Sequence, residues 1–370
     1  MRTLALVVAA ASIGCRHQTP LSAGDTAAVS DSGATYFPAA EWRSAAPAKV
    51  GFDAGRIAAL TRDVSNGRFG AIDALIVVRF GHVAVEHYDG WTPSRAHTMQ
   101  SVTKSVTSLL FGILQAQRAN GETSLDRTVV DVFPSYQPVA NDDARKRALT
   151  LRHLLMMRTD MDFWEQPYPG SPLDQLNRST GDWVRFILDR PMVGMPGDDW
   201  AYNSGAAILM CGVMRQITSE SADAFARREL FEPIGVVGET WFKSPFDGLP
   251  HCGGGLALRP IDMARVGYLV LRHGRWGDRQ LVPATWVDVA TSPLSRGSSL
   301  LFSSLNPGYG YFWWTFPLHR GGTDAGVITA SGSGGQWIFV VPSLDLVVAI
   351  AATNGAGLDL LYDGLLPALR

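Results

Sequence analysis

Ser101 and Lys104 stand three residues apart in Gln100-Ser101-Val102-Thr103-Lys104-Ser105. A serine hydroxyl is a weak nucleophile at neutral pH and needs an adjacent base. A lysine amine can be that base if burial or nearby positive charge lowers its ordinary pKa of about 10.4. The pair would then attack an ester or amide carbonyl and carry an acyl group. Lysine is scarce in this chain. Of Lys49, Lys104, Lys146 and Lys243, only Lys104 has a serine three residues before it.

The surrounding stretch, 98–112, says how the pair would be held. Val102, Val106, Leu109, Leu110 and Ile113 recur at three- and four-residue steps, the period of a helix with one buried face. Ser101 falls at the helix start and Lys104 one turn later on the same side. Free backbone N–H groups and the positive dipole end lie there too, suited to stabilising negative charge. The competing reading is an ordinary amphipathic helix with a capping serine and a lysine that reaches to solvent. Partners elsewhere in the chain must decide between the two.

The totals set the bounds. The chain has 370 residues and a net charge of -2, giving no reason to expect nucleic acid. Its length suits two domains or one large one, with a core that needs no disulfide. Cys211 and Cys252 could pair, but no spacing forces it, and separately buried thiols are the expectation. The histidines are scattered without a metal-ligand spacing, and His82 and His87 would face opposite sides of a strand. No metal or other cofactor is expected. No G-x-S-x-G elbow occurs.

Residues 1–15 read as an export signal: a positive start, the apolar run 4–13, then Gly14-Cys15, a lipobox-like end. Cleavage there leaves Cys15 as a lipidated N-terminus and membrane anchor; an ordinary secretory signal is the alternative. Residues 16–44 read as a flexible linker. Either signal places the folded part outside the cytoplasm, periplasmic if the anchor holds.

Helices are expected at 54–66, from 150 to 157, at 180–189, from 205 to 217, and at 222–230, 260–273 and 358–369. Strands are expected at 72–80 and 82–88 as a hairpin, and at 309–316, 337–341 and 346–352. Residues 160–170 read as a loop. Strands gather at both ends and helices fill the middle. This predicts an α+β fold: one antiparallel sheet built from both chain ends, flanked by helices, with a mostly helical insertion.

Two further motifs join the first. Tyr202-Asn203-Ser204-Gly205 follows Pro-Gly-Asp-Asp-Trp-Ala, and Ala330-Ser331-Gly332 precedes Gly334-Gly335-Gln336. In this order and spacing the chain resembles the serine hydrolases of the class C β-lactamase-like and penicillin-binding group, with its esterase and 6-aminohexanoate-dimer hydrolase branch nearest. The resemblance covers about residues 45–370, including Gly-Gly-Gly-Leu at 253–256 and Tyr-Gly-Tyr-Phe-Trp-Trp at 309–314. It implies an α/β part at about 45–112 and 305–370, and a helical part at about 113–304.

The resemblance also implies roles. Ser101 would be acylated, with Lys104 aiding deprotonation. Tyr202 would be general base or proton relay, its pKa lowered by Lys104. The oxyanion hole would use the Ser101 N–H and the third motif, Ser331, Gly332 and Ser333. Ser204 and Gln336 would belong to the substrate pocket, and Phe163, Trp164, Tyr168 and Trp200 would line its acyl side, with simple packing the alternative for each of these four. Two departures stand out: Ser204 replaces the usual asparagine, and Ala330 replaces the cation that grips a β-lactam carboxylate. The site therefore leans to small neutral esters or amides. A D-alanyl peptidase or weak β-lactamase, and a catalytically silent binder of ligand or partner, are the alternatives. Oligomeric state is not legible.

Overall fold

A computed structural model describes residues 36–39, 41–118, 121–298, 305–320 and 323–370. The expected signal with Cys15, and the linker up to residue 35, lie outside the described residues. Residues 36–44 were expected to belong to that linker, yet the described ones are packed. Trp42 Nε1 donates to the Gly81 carbonyl at 2.7 Å, and the Tyr268 hydroxyl donates to the Tyr36 carbonyl at 2.6 Å.

The main sheet has eight antiparallel strands. They are β1 (Gly70–Arg79), β2 (His82–Tyr88), β3 (Ser295–Arg296), β4 (Gly308–Tyr309), β5 (Trp314–Arg320), β6 (Thr323–Gly332), β7 (Gln336–Val341) and β8 (Leu346–Gly355). Their spatial order is β2-β1-β8-β7-β6-β5-β4-β3. The last strand pairs with the first, from Gly70 opposite Gly355 to Arg79 opposite Leu346, so both chain ends build one sheet. The β1–β2 turn holds Phe80 at φ 50° and Gly81 at φ 76°, the backbone of a two-residue hairpin turn.

The central strands are buried on both faces, and every residue of β7 is inaccessible. Period two then decides which neighbour each side chain meets. Ile338 and Val340 face the helix carrying Gly267. Trp337 and Phe339 stack on the other face, where Gly357 lies against Trp337.

Four longer helices matter for the site: α1 (Ala54–Ser65), α2 (Val102–Gln117), α3 (Ser204–Thr218) and α4 (Pro260–Leu271). Helix α2 lies across β6 and β7, and its other side packs on α3. Helix α3 also packs on the short helices Leu151–Leu155 and Trp183–Leu188. A second, three-stranded sheet sets His97–Thr98 beside Leu256–Leu258, with Thr240–Trp241 outermost. It delivers the chain to Ser101 beside the glycine loop at 252–255.

Three local readings need correction. The stretch 309–316 is two strands, because Gly310 N–H bonds back to the Trp313 carbonyl at 2.9 Å and Phe312 is left-handed at φ 62°. Its aromatic alternation reads as one strand, but the reversal buries more rings. The helix at 222–230 passes from α to π turns ahead of Pro233, and that at 358–369 runs through α, π and 3-10 turns to Pro367. Cys211 and Cys252, expected as separate thiols, form a disulfide with Cα atoms 6.0 Å apart. Tertiary packing of α3 against the glycine loop brings them together, which sequence spacing could not indicate.

The sheet–helix contact at Gly267 gives a test. A Cβ there would lie 2.6 Å from Val347 Cγ1 and 2.7 Å from Ile338 Cγ2. Gly→Ala inside a helix normally stabilises by about 1 kcal/mol. Here overpacking should dominate, and Gly267→Ala should lower stability by about 1–3 kcal/mol in urea unfolding.

Candidate active site

Ser101 occupies the N-terminal boundary of α2 but makes no capping hydrogen bond with its side chain. Its Oγ instead accepts from Lys104 Nζ at 2.9 Å. That excludes the ordinary capping reading. The residue before it, Gln100, is left-handed at φ 45°, a strained backbone of the kind found where a side chain must be presented. Gly332 at the end of β6 explains how closely the strand approaches. A Cβ there would lie 2.5 Å from the Met99 carbonyl oxygen and 3.0 Å from Gln100 Cβ. The third motif therefore runs directly beside the segment leading into Ser101. Ser331 and Gly332 pair with Trp337 and Gln336, and Ser333 begins the turn that follows.

Lys104 does not reach solvent; it is 1% exposed. Besides Ser101, its ammonium donates to the Gly253 carbonyl at 2.6 Å and lies 4.7 Å from the centre of the Tyr202 ring. Burial pulls its pKa down to about 8, against an opposing pull from the Glu165 carboxylate.

Tyr202 is the third partner. Its phenol is close enough to the Ser101 side chain for that hydroxyl to pull its pKa down. Its ring stacks on Trp314 at 6.1 Å and 16°, and meets Trp200 and Tyr309 at 6.3 and 6.5 Å. The sequence resemblance implied a lowered pKa. Burial pushes it up instead, as does the Glu165 charge, and the Ser101 hydroxyl only partly offsets them. The phenol is a proton donor through the neutral range, since desolvation of a phenolate outweighs the nearby ammonium.

Asn203 holds the start of α3, its side chain accepting from the Ala206 N–H at 3.1 Å and donating to Thr159 Oγ1 at 3.1 Å. Ser204 opens α3, buried against the position a Cβ on Gly253 would take. Its N–H donates to Glu165 Oε1.

The remaining pocket candidates divide. Trp200 belongs to the aromatic cluster around Tyr202, 5.3 Å from Tyr309 and 5.5 Å from Trp314. Phe163 is core, packed under Gly205. Trp164 and Tyr168 lie at the surface, 43% and 39% exposed, without a ring contact to that cluster among the described residues. Gln336 faces inward: its amide donates to the Ala352 carbonyl and accepts from the Ala352 N–H, filling a gap in strand pairing. The resemblance placed it in the substrate pocket; in the structure it is a buried amide satisfied by backbone.

Sequence reasoning missed Glu165, Tyr309, Trp314 and His251. Glu165 sits in the loop 160–170, where no period marks it. His251 precedes the disulfide cysteine, its ring packed between Trp183 and Phe242 at 5.5 and 5.9 Å. Both ring nitrogens lack a hydrogen-bond partner among the described residues. Burial first, then the Lys104 charge, pushes its pKa down to about 4, so it stays neutral beside the ammonium.

That burial has a sign. The unfolded imidazole takes its proton near pH 6.5 and the folded one near 4. Stability is therefore lost as pH falls between these values, by up to about 3 kcal/mol. His251→Phe should flatten that dependence, read from urea midpoints at pH 7 and at pH 4.5.

Residues 59–363 match the Beta-lactamase family. A 6-aminohexanoate-dimer hydrolase of Paenarthrobacter ureafaciens is 23% identical over 292 residues, 75% of this chain and 71% of its own. Esterase EstB of Burkholderia gladioli is 27% identical over 179 residues, 44% of each chain. Among solved structures, EstCE1, a hydrolase with promiscuous acyltransferase activity, superposes with TM-score 0.66 at 16% identity, covering 85% of this chain and 96% of its own. The octameric penicillin-binding protein homologue from Pyrococcus abyssi gives 0.63 at 18% identity, covering 82% and 74%. These likenesses show the shared fold. With most of its length matched, the chain belongs to the Beta-lactamase family and is a hydrolase.

Proposed function

We propose that the protein is a serine hydrolase that cleaves small neutral esters or amides through an acyl-enzyme on Ser101. The observation that carries this is the 2.9 Å contact between Lys104 Nζ and Ser101 Oγ with the ammonium buried. At pH 7 a lysine of pKa about 8 is free base in about a tenth of molecules. An ordinary lysine is so in roughly three per ten thousand. Burial thus raises the supply of base about three-hundredfold.

Lys104 is the first base and Tyr202 the donor, because their pKa values are driven apart. Ser101 Oγ attacks the carbonyl carbon while its proton passes to the Lys104 amine. The oxyanion is met by the Ser101 N–H and by the third motif, Ser331 to Ser333. Collapse expels an alcohol or amine, protonated by the Tyr202 hydroxyl, which is recharged from Lys104. Water then attacks the acyl-enzyme by the same route in reverse.

Ala330 is buried and supplies no cation at the strand end, and Glu165 adds negative charge beside Lys104. Both features disfavour a substrate carboxylate, and with it efficient β-lactam or peptide C-terminal cleavage. The names of the relatives, a 6-aminohexanoate-dimer hydrolase and an esterase, support amide and ester bonds as the bonds cleaved, although a 6-aminohexanoate dimer itself carries a carboxylate.

We further infer export with lipidation at Cys15. A disulfide persists in oxidising compartments, and Cys211–Cys252 supports that placement. Palmitate labelling in a bacterial host should mark the protein and be lost in Cys15→Ala; unlabelled wild type overturns the anchor.

Wild type should hydrolyse p-nitrophenyl acetate and take a fluorophosphonate label. Ser101→Ala should abolish the label and lower kcat/KM at least about a thousandfold. Absence of both activities in wild type would support the silent reading. The logarithm of kcat/KM should rise with pH and level off near pH 8, where Lys104 loses its proton. Tyr202→Phe should lower kcat about a hundredfold or more, with KM little changed.

A further inference from the structure

We propose that the Cys211–Cys252 disulfide positions Lys104 for acyl transfer, by fixing the glycine loop whose carbonyl receives the lysine ammonium. The proposal rests on the reading of Ser101 and Lys104 given above.

The loop at 252–256 meets α2 along one face of that helix. Lys104 Nζ donates to the Gly253 carbonyl at 2.6 Å, and Thr107 Oγ1 shares its one proton between the Thr103 carbonyl at 3.0 Å and the Cys252 carbonyl at 3.1 Å. The Leu256 N–H donates to Thr103 Oγ1 at 3.2 Å. Residues 103, 104 and 107 lie within one turn, so a single segment of loop sets the environment of the lysine.

Within that segment the Cys252 N–H donates to the Pro250 carbonyl at 3.0 Å, and the Gly254 and Gly255 N–H groups donate to the His251 carbonyl at 3.1 and 2.7 Å, but side-chain packing adds little. Gly253, Gly254 and Gly255 have no side chains to pack, and glycine gives a chain its greatest freedom. Backbone bonds fix the loop ends: the His251 N–H donates to the Phe242 carbonyl at 2.9 Å, and the Phe242 N–H to the Gly255 carbonyl at 2.8 Å. The His251 ring adds packing but, among the described residues, no hydrogen bond. Gly253 lies between these ends, next to Cys252.

The disulfide adds a covalent restraint. It ties Cys252 to Cys211 in the middle of α3, with Cα atoms 6.0 Å apart. Helix α3 begins two residues after Tyr202, and Ser204 on its first turn lies 3.0 Å from the place of a Cβ on Gly253. One covalent link therefore couples the element that presents Tyr202 to the loop that receives Lys104. Both cysteines are inaccessible to solvent, which suits a permanent clamp. Loss of the clamp frees the acceptor carbonyl, and the amine no longer stays aimed at Ser101 Oγ. A misplacement of about 1 Å costs up to about a hundredfold in rate. The clamp touches no substrate, so binding should hardly change.

The test begins with a non-reducing peptide map, which should recover the Cys211 and Cys252 peptides joined. Kinetics of p-nitrophenyl acetate hydrolysis and of fluorophosphonate labelling are then compared for wild type, Cys211→Ala/Cys252→Ala, and Thr107→Val. Circular dichroism checks that each is folded at the assay temperature. The double variant should lose about ten- to a hundredfold in kcat and labelling rate, with KM within about twofold. Thr107→Val keeps the disulfide but removes one tie to the loop, and should lower kcat about two- to tenfold at unchanged KM. If the double variant does not fold, Thr107→Val decides, and an unchanged kcat overturns the proposal. Free thiols at both cysteines in wild type overturn it. So does a folded double variant with wild-type kcat, or one that changes only in KM. Wild type that takes no label at Ser101 overturns the serine-hydrolase reading and this proposal with it. A labelled wild type beside an unimpaired double variant overturns this proposal alone.

Discussion

The burial of one ammonium group governs this molecule. Lys104 is enclosed at 1% exposure, with a serine hydroxyl, a backbone carbonyl and an aromatic face around it. None of these is a full counter-charge, and the Glu165 carboxylate offsets only part of the desolvation. Holding a lysine at about 8 rather than 10.5 costs the folded state about 3 kcal/mol at neutral pH. A fold with a net stability of roughly 5–15 kcal/mol must supply that from elsewhere.

The architecture supplies it through two-sided burial. The sheet closes the first strand against the last, and its central strands are covered on both faces. Helix α2 is inaccessible from Val102 to Leu114, so the lysine is enclosed along with the rest of its helix. The same packing fixes the distances. Gly332 lets β6 touch the segment before Ser101, and Gly253 lets the loop touch Ser204. Glycine at these positions is a matter of close approach, since any Cβ would meet backbone or side-chain atoms at 3.0 Å or less.

The same electrostatics divides the labour between two groups. Burial lowers an amine and raises a phenol, because each loses its charged form. One packed environment therefore lowers the Lys104 amine and raises the Tyr202 phenol. His251 follows the same rule and stays neutral, so it places no second cation against the lysine.

Much of this was legible in the sequence. The helical period around Ser101, the hairpin at β1 and β2, and the gathering of strands at both ends carry their own signals. The family motifs located Ser101, Lys104 and Tyr202, and the structure places them together. What stayed hidden depends on distance in three dimensions. Nothing near Cys211 announces Cys252, and Glu165 lies in a loop without a period. The direction of the Tyr202 shift could not be read, since it turns on how far the surrounding rings cover the phenol. Gln336 was singled out by its place after the third motif, while its amide serves a gap in its own sheet.

The most direct measurement follows the lysines themselves. With only four in the chain, selective ¹³C labelling at the lysine Cε permits each to be titrated by NMR, with Lys104→Arg identifying its signal. The account predicts that the Lys104 signal titrates near pH 8. A Lys104 that holds its proton above pH 10, as in water, would contradict it.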